Sequence, residues 1–145
     1  MILDAKSRTF LHAFLSAHRY GVVSSVAVDG SPQSALVGVA VTTDLEIVFD
    51  TVTSSRKYAN LVARPSCSFS IGWVGEQTVQ LDGIARRPVG EELAQYQDAY
   101  FAVWPDGRAR LAWPELVHFV VEPRWIRYSD YEQSPPRIDE FTVHL

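Results

Sequence analysis

The chain lacks most of what would mark a secreted, membrane-spanning or nucleic-acid-binding protein. It has one cysteine, Cys67, in 145 residues, so no internal disulfide framework can form. Cys67 sits in the alternating run Ser66-Cys67-Ser68-Phe69-Ser70, which reads as a strand with a buried or half-buried thiol. No His or Cys lies near it in sequence to suggest a metal site or an activated nucleophile. No apolar run reaches the roughly 18 residues of a membrane span. Asp4, Lys6, Arg8 and His12 interrupt the first apolar stretch, so no secretory signal is expected, and the cytoplasm is the expected compartment. Positive charge is also in short supply. The formal net charge is -4 and the pI about 5.5, which disfavours nonspecific binding to nucleic acid. A small anionic ligand needs only a local cluster of donors and is not excluded. His12, His18, His118 and His144 show no metal-ligand spacing, and surface or packing roles are expected for them.

What is present suits a globular domain. Hydrophobic residues make up 47% and aromatics 12%, enough for a core without covalent staples, and residues 1–145 read as one domain. Residues 4–19 have helical spacing, with Asp4 as cap and Phe10, Leu11, Phe14 and Leu15 on one face. A strand over 22–28 leads into Asp29-Gly30, a hairpin signal because both turn positions tolerate positive φ. The return strand is expected over 35–42 and a third strand over 45–50. A short helix runs from Thr53 or Ser54 to about Ala63, closed by Pro65. Strands follow at 66–73 and 78–87, then a helix over 91–103 and a loop at Pro105-Asp106-Gly107. A strand over 117–121 ends at Pro123, continued by 125–128. The tail after Ser134-Pro135-Pro136 is expected to be a separate short arm. Together these predict a mainly β fold: a small antiparallel β-barrel of six or so strands with two to three short helices.

One segment carries chemistry. Ile47 to Pro65 is a strand, a hydroxyl-rich turn and a helix that starts with two cations, Arg56 and Lys57. A helix N-terminus carries partial positive charge, so each cation there is unfavourable by roughly 0.3–1 kcal/mol. A bound anion reverses the sign, because backbone N–H groups, Ser54, Ser55, a guanidinium and an ammonium can all converge on a phosphate. Taken alone, the same string is also a common solvated helix start with serine caps, and both readings stand.

The wider pattern resembles the pyridoxamine 5′-phosphate oxidase-like, FMN-binding split-barrel superfamily. The similarity runs from the first hairpin to the tail. It is carried by Phe49-Asp50-Thr51, Ser54-Ser55-Arg56-Lys57-Tyr58-Ala59-Asn60-Leu61 and Thr78-Val79-Gln80-Leu81-Asp82-Gly83-Ile84-Ala85. The resemblance implies FMN as cofactor, with Ser55, Arg56 and Lys57 on its phosphate, Asp50 and Ser54 beside them, and Thr51 near the flavin. It implies that Ala35, Leu36, Val37 and Gly38 pass the isoalloxazine ring. A glycine in a strand also marks a bulge or a packing gap, so Gly38 has two readings. Thr78 and Gln80, on one face of their strand, are implied as polar contacts to the flavin, in many members across a dimer interface; the alternative is an exposed polar face. Trp113 and Trp125 either stack on a flavin or fill a core or a dimer contact.

The chain also departs from the oxidase pattern. Ala35 stands where oxidase members often have an arginine, and Ala40 near where they have a substrate-contacting lysine. Arg137-Ile138-Asp139 stands where the oxidase has R-x-H. The cofactor half of the pattern is therefore present and the substrate half largely missing. The implied activity is a flavin-dependent oxidoreductase with an unknown small-molecule redox substrate, acting as a homodimer. The alternatives are a deazaflavin (F420)-dependent reductase, a haem binder, and a non-catalytic flavin-binding protein.

Overall fold

A computed structural model describes residues 1–143; His144 lies outside the described residues. The chain runs α1 (Ala5–Ala17), β1 (Tyr20–Val26), β2 (Pro32–Gly38), β3 (Ala40–Val41), β4 (Ile47–Val52), α2 (Arg56–Ala63), β5 (Ser66–Ile71), β6 (Gln77–Arg86), α3 (Gly90–Val103), a 3₁₀ segment (Pro105–Ala112), β7 (Leu116–Asp130) and β8 (Arg137–Thr142). A single 3₁₀ turn, Val74–Glu76, precedes β6. The fold is mainly β, as expected.

All strand pairs are antiparallel, in the order β2-β1-β5-β6-β7-β4-β3, with β8 on the C-terminal half of β7. β2 and β3 stand at opposite ends of this order, yet only Val39 separates them in the chain. A single residue can join the two ends only if the sheet curls until they nearly meet, which makes the split barrel. Here the structure corrects the expected unbroken strand over 35–42. Val39 makes the corner, with its N–H donating to the Arg19 carbonyl at 2.9 Å.

The inward residues of every strand pack into one core that includes Val23, Phe49, Phe69, Leu81, Phe119 and Ile126. α1 joins this core through Leu11 and Leu15, and its Phe10 and Phe14 meet Tyr128 edge-on, with ring centroids 4.9 and 5.4 Å apart. Cys67 lies in the same core, and burial pushes its thiol pKa up to about 12, so it is inert. A second, smaller core lies outside the barrel wall, where Tyr100 and Phe101 of α3 pack on Ala40, Val48 and Val120.

Three further expectations change. The first strand ends at Val26 rather than 28, because Ala27 to Ser31 form the turn, with Gly30 at φ +88°. Pro123 does not end its strand. β7 runs through it, because the register against β6 slips there: Asp82 pairs Trp125 and Gly83 pairs Pro123. A bulge tolerates a residue with no N–H, and at Gly83 a side chain would meet the Glu122 carbonyl oxygen at 2.5 Å. The tail is not a separate arm, since Arg137–Thr142 is β8, paired with β7 from Asp130 back to Trp125. Eight strands replace the expected six, the added ones being the short β3 and this tail. No helix among the described residues is long and apolar enough to cross a membrane.

Candidate functional site

The site is built at the junction of β4 and α2. Along β4 the side chains alternate: Ile47, Phe49 and Thr51 point into the barrel, and Val48 and Asp50 point out toward α3. Thr51 is buried, and its hydroxyl is 2.9 Å from that of Ser55. Ser55 has extended backbone geometry and caps α2, accepting from the Tyr58 N–H at 3.2 Å. Ser54 turns away and donates to Glu115 at 3.1 Å.

Arg56 and Lys57, the first two residues of α2, reach toward β1 and β2. With Val23, Ser25, Gln33, Ser34 and Ala35 they line a cavity of about 90 Å³. None of the ion pairs or side-chain hydrogen bonds among the described residues involves either cation. Burial pulls the Lys57 ammonium below its ordinary range, and the charge of Asp50 opposes that pull. Two cations at a helix start that form no ion pair among the described residues are an arrangement that can accept an anion.

Sequence reasoning missed the floor of this cavity. Asn60, on the buried side of α2, donates both amide hydrogens: to the Ser25 hydroxyl at 3.0 Å and to Gln33 Oε1 at 2.9 Å. Ser25 and Gln33 face each other across the β1–β2 hairpin. The signal was present in the pattern, since these are polar residues at inward positions otherwise filled by Gly21, Val23, Ala35 and Val37.

The other candidate residues fall elsewhere. Asp50 sits on the outer face and accepts from Arg110 Nε at 3.0 Å. Arg110 also donates to the Tyr100 hydroxyl at 3.4 Å. His118 lies beside this cluster, 96% buried, with Nδ1 3.4 Å from the Gln97 amide and no partner at Nε2. Burial holds the His118 pKa below its ordinary value and, aided by the charge of Asp50, raises that of Tyr100. Val37 points into the core, while Leu36 is exposed on the outer face. At Gly38 a side chain would meet the Trp104 ring at 2.9 Å, and Trp104 donates to the Val39 carbonyl at 3.0 Å. Close packing of an indole accounts for this glycine.

Thr78 and Gln80 lie on the outer face of β6, where Gln80, Ser24, Ser68, Ser70 and Asp82 line a shallow depression. Within one chain they are not brought to the Arg56–Lys57 cavity. Trp125 pairs with Asp82 on that same outer face, and half-exposed Trp113 borders a separate hollow beside His118. Arg137 is tied to Asp139 at 2.9 Å and lies over the Phe10 and Tyr128 rings. Ala40 is buried in the second core.

Comparison with known proteins agrees with this architecture. Residues 8–143 match the family described as pyridoxamine 5′-phosphate oxidase. A pyridoxine/pyridoxamine 5′-phosphate oxidase of Streptomyces avermitilis is 34% identical over 121 residues, covering 82% of this chain and 52% of the relative. One from Burkholderia multivorans is 29% identical over 132 residues, covering 83% of this chain and 60% of the relative. The chain thus spans about half to three-fifths of the length of these curated relatives. Among solved structures, a heme binding protein from Mycobacterium smegmatis superposes with a TM-score of 0.78 at 20% identity, covering 90% of this chain and 56% of that one. A pyridoxamine 5′-phosphate oxidase-related, FMN binding protein from Nostoc punctiforme gives 0.65 at 12%, covering 88% and 87%. These structural likenesses show the shared fold. The sequence match, extending from α1 through β8, shows more: the chain belongs to the pyridoxamine 5′-phosphate oxidase family.

Proposed function

We propose that the protein binds FMN and acts as a flavin-dependent oxidoreductase. The observation that carries the reading is the cavity at the start of α2, where Arg56 and Lys57 face a phosphate-sized space with no protein acid to neutralise them. Arg56 and Lys57 would hold the phosphate, and the Thr51–Ser55 hydroxyl pair would flank it. Bound flavin would supply the redox chemistry, while the protein supplies binding, orientation and charge. Family membership and the FMN binding protein of the same fold support the reading.

The oxidase's own reaction is not proposed. Ala40 is buried in the second core, Trp104 closes over Gly38, and Arg137 is neutralised by Asp139. The positions that would hold a phosphorylated amine therefore carry no available cation. The proposed substrate is another small redox molecule.

The proposal includes a homodimer. The outer face of β1, β5 and β6 presents Ser24, Ser68, Ser70 and Gln80, mostly small groups with Asp82 as the one carboxylate of that depression, and suits a packed sheet-to-sheet contact. Thr78 and Gln80 would then serve the partner's flavin. Sedimentation of the flavin-loaded protein as a monomer would refute this part.

The purified protein is expected to be yellow and to release FMN on denaturation. Colourless protein that takes up no added FMN would overturn the reading. Anaerobic reduction of the bound flavin by NADH or NADPH separates an oxidoreductase from a non-catalytic flavin carrier.

A further inference from the structure

The hydrogen-bond directions in the Arg56–Lys57 cavity specify the kind of phosphate it takes, which rests on the phosphate-site reading above. The Asn60 side-chain nitrogen has two hydrogens. One goes to the Ser25 hydroxyl oxygen and the other to Gln33 Oε1. Each acceptor oxygen is thereby engaged on the Asn60 side. The Ser25 hydroxyl, 97% buried, keeps its own hydrogen to give, and Gln33 keeps its amide N–H groups. Neither side chain makes another hydrogen bond among the described residues. Arg56 and Lys57 are donors without acceptor capacity. Asn60 therefore acts as a clamp that turns Ser25 and Gln33 donor-outward, and the polar walls of the cavity offer donors.

We infer that this cavity selects a terminal phosphomonoester dianion over a phosphodiester, with Ser25 and Gln33 as phosphate-binding residues and Asn60 as the residue that positions them. A monoester dianion presents three charged acceptor oxygens and no obligatory donor. A diester carries a single charge on two such oxygens, and its second ester arm must also leave the cavity. The cavity of about 90 Å³ has room for one phosphate group. Gln33 shares the inward face with Ala35, two residues along β2. It thus supplies a neutral donor beside the position where oxidase relatives often have arginine. The cradle fits FMN, which ends in a monoester, and disfavours F420, whose phosphate is a diester, and FAD, whose two phosphates are joined in an anhydride.

The test is an NMR titration of the full chain, following the Gln33 side-chain amide and the backbone amides of Ser55 to Lys57. Inorganic phosphate, at alkaline pH where it is a dianion, is compared with dimethyl phosphate. Saturable shifts with inorganic phosphate, and binding of dimethyl phosphate at least about tenfold weaker, are expected. Gln33→Glu keeps the Asn60 contact and places a carboxylate in the cradle; it is expected to abolish the phosphate response with an unchanged melting curve. Equal response to both probes, no saturable response to inorganic phosphate, or a Gln33→Glu variant that binds phosphate like the parent would each overturn the inference. A parallel flavin titration separates the two readings. Phosphate selection without FMN uptake removes the flavin proposal and leaves the cradle. FAD binding as tightly as FMN removes the cradle and leaves the flavin.

Discussion

Asp50 and Thr51 are neighbours in sequence but belong to two different polar regions. Asp50 points out of the barrel into a closed cluster, where Arg110 neutralises it and Tyr100 and His118 pack around the pair. Thr51 points inward to Ser55 and the start of α2, beside two cations that form no ion pair among the described residues. Other arginines are held by partners within the fold: Arg86 by Glu122, Arg127 by Glu140 and Arg137 by Asp139, and Arg19 and Arg64 by backbone carbonyls. A structural cation is held by a counter-charge or a neutral acceptor, because an unsatisfied charge costs free energy on burial. A binding cation is left unmatched, and its ligand completes it. The two sides of β4 thus differ: Asp50 and Arg110 form an ion pair within the fold, while Arg56 and Lys57 form none and are the proposed anion site.

The largest expected effect comes from removing the unmatched pair. Arg56→Ala with Lys57→Ala should weaken FMN binding at least about 100-fold, taking about 1.5–3 kcal/mol for each charge-assisted contact. The same variant without flavin should melt no lower than the parent, since it relieves two cations at a helix N-terminus. Flavin fluorescence titration and thermal melts check both halves; a strong loss of stability would place these residues among the structural cations. Next is Arg110→Met, which leaves Asp50 unmatched and largely buried. It should cost about 2–3 kcal/mol in denaturant unfolding while changing the preference for FMN over riboflavin far less than Lys57→Ala does. Gly38→Ala must push the Trp104 ring aside. It is expected to cost about 1–3 kcal/mol and to shift tryptophan emission.

Thr51→Val removes one neutral hydrogen bond to Ser55, about 0.5–1.5 kcal/mol, with a few-fold loss in FMN affinity. The smallest effect is a pH dependence on the outer side. Burial holds the folded pKa of His118 below its ordinary 6.5. Between that lowered value and about 6.5 the unfolded chain binds a proton that the folded chain does not, so stability falls as pH drops through this window. His118→Gln should flatten that part of the melting-temperature profile; a profile that stays as steep would assign the slope to other groups.

Much of the fold was legible because its signals are local. The cap at Asp4, the turn at Asp29-Gly30 and the alternation along β4 to β6 depend on side-chain period and turn chemistry. What was not legible depends on closure. Nothing local announces that Val39 makes a corner between opposite ends of a sheet, or that residues 137–142 pair with β7. The site divided along the same line. Ser55, Arg56 and Lys57 are contiguous, so their convergence at one helix start could be read directly. Gly38 and Asp50 were placed near a flavin on pattern alone. Their actual neighbours, Trp104 and Arg110, lie about 60 residues on in the α3–3₁₀ region.

The sequence by itself determined the alternation that makes a β fold and a helix that begins with two adjacent cations, Arg56 and Lys57. These follow from φ/ψ preference, side-chain period and the charge of a helix end, each acting within a few residues. Only the tertiary structure decided that Asn60 reaches across to Ser25 and Gln33 and turns them donor-outward, while Asp50 is matched by Arg110. Those outcomes depend on which distant side chains meet once the sheet has curled, and hydrogen-bond direction and charge pairing are settled only by that contact.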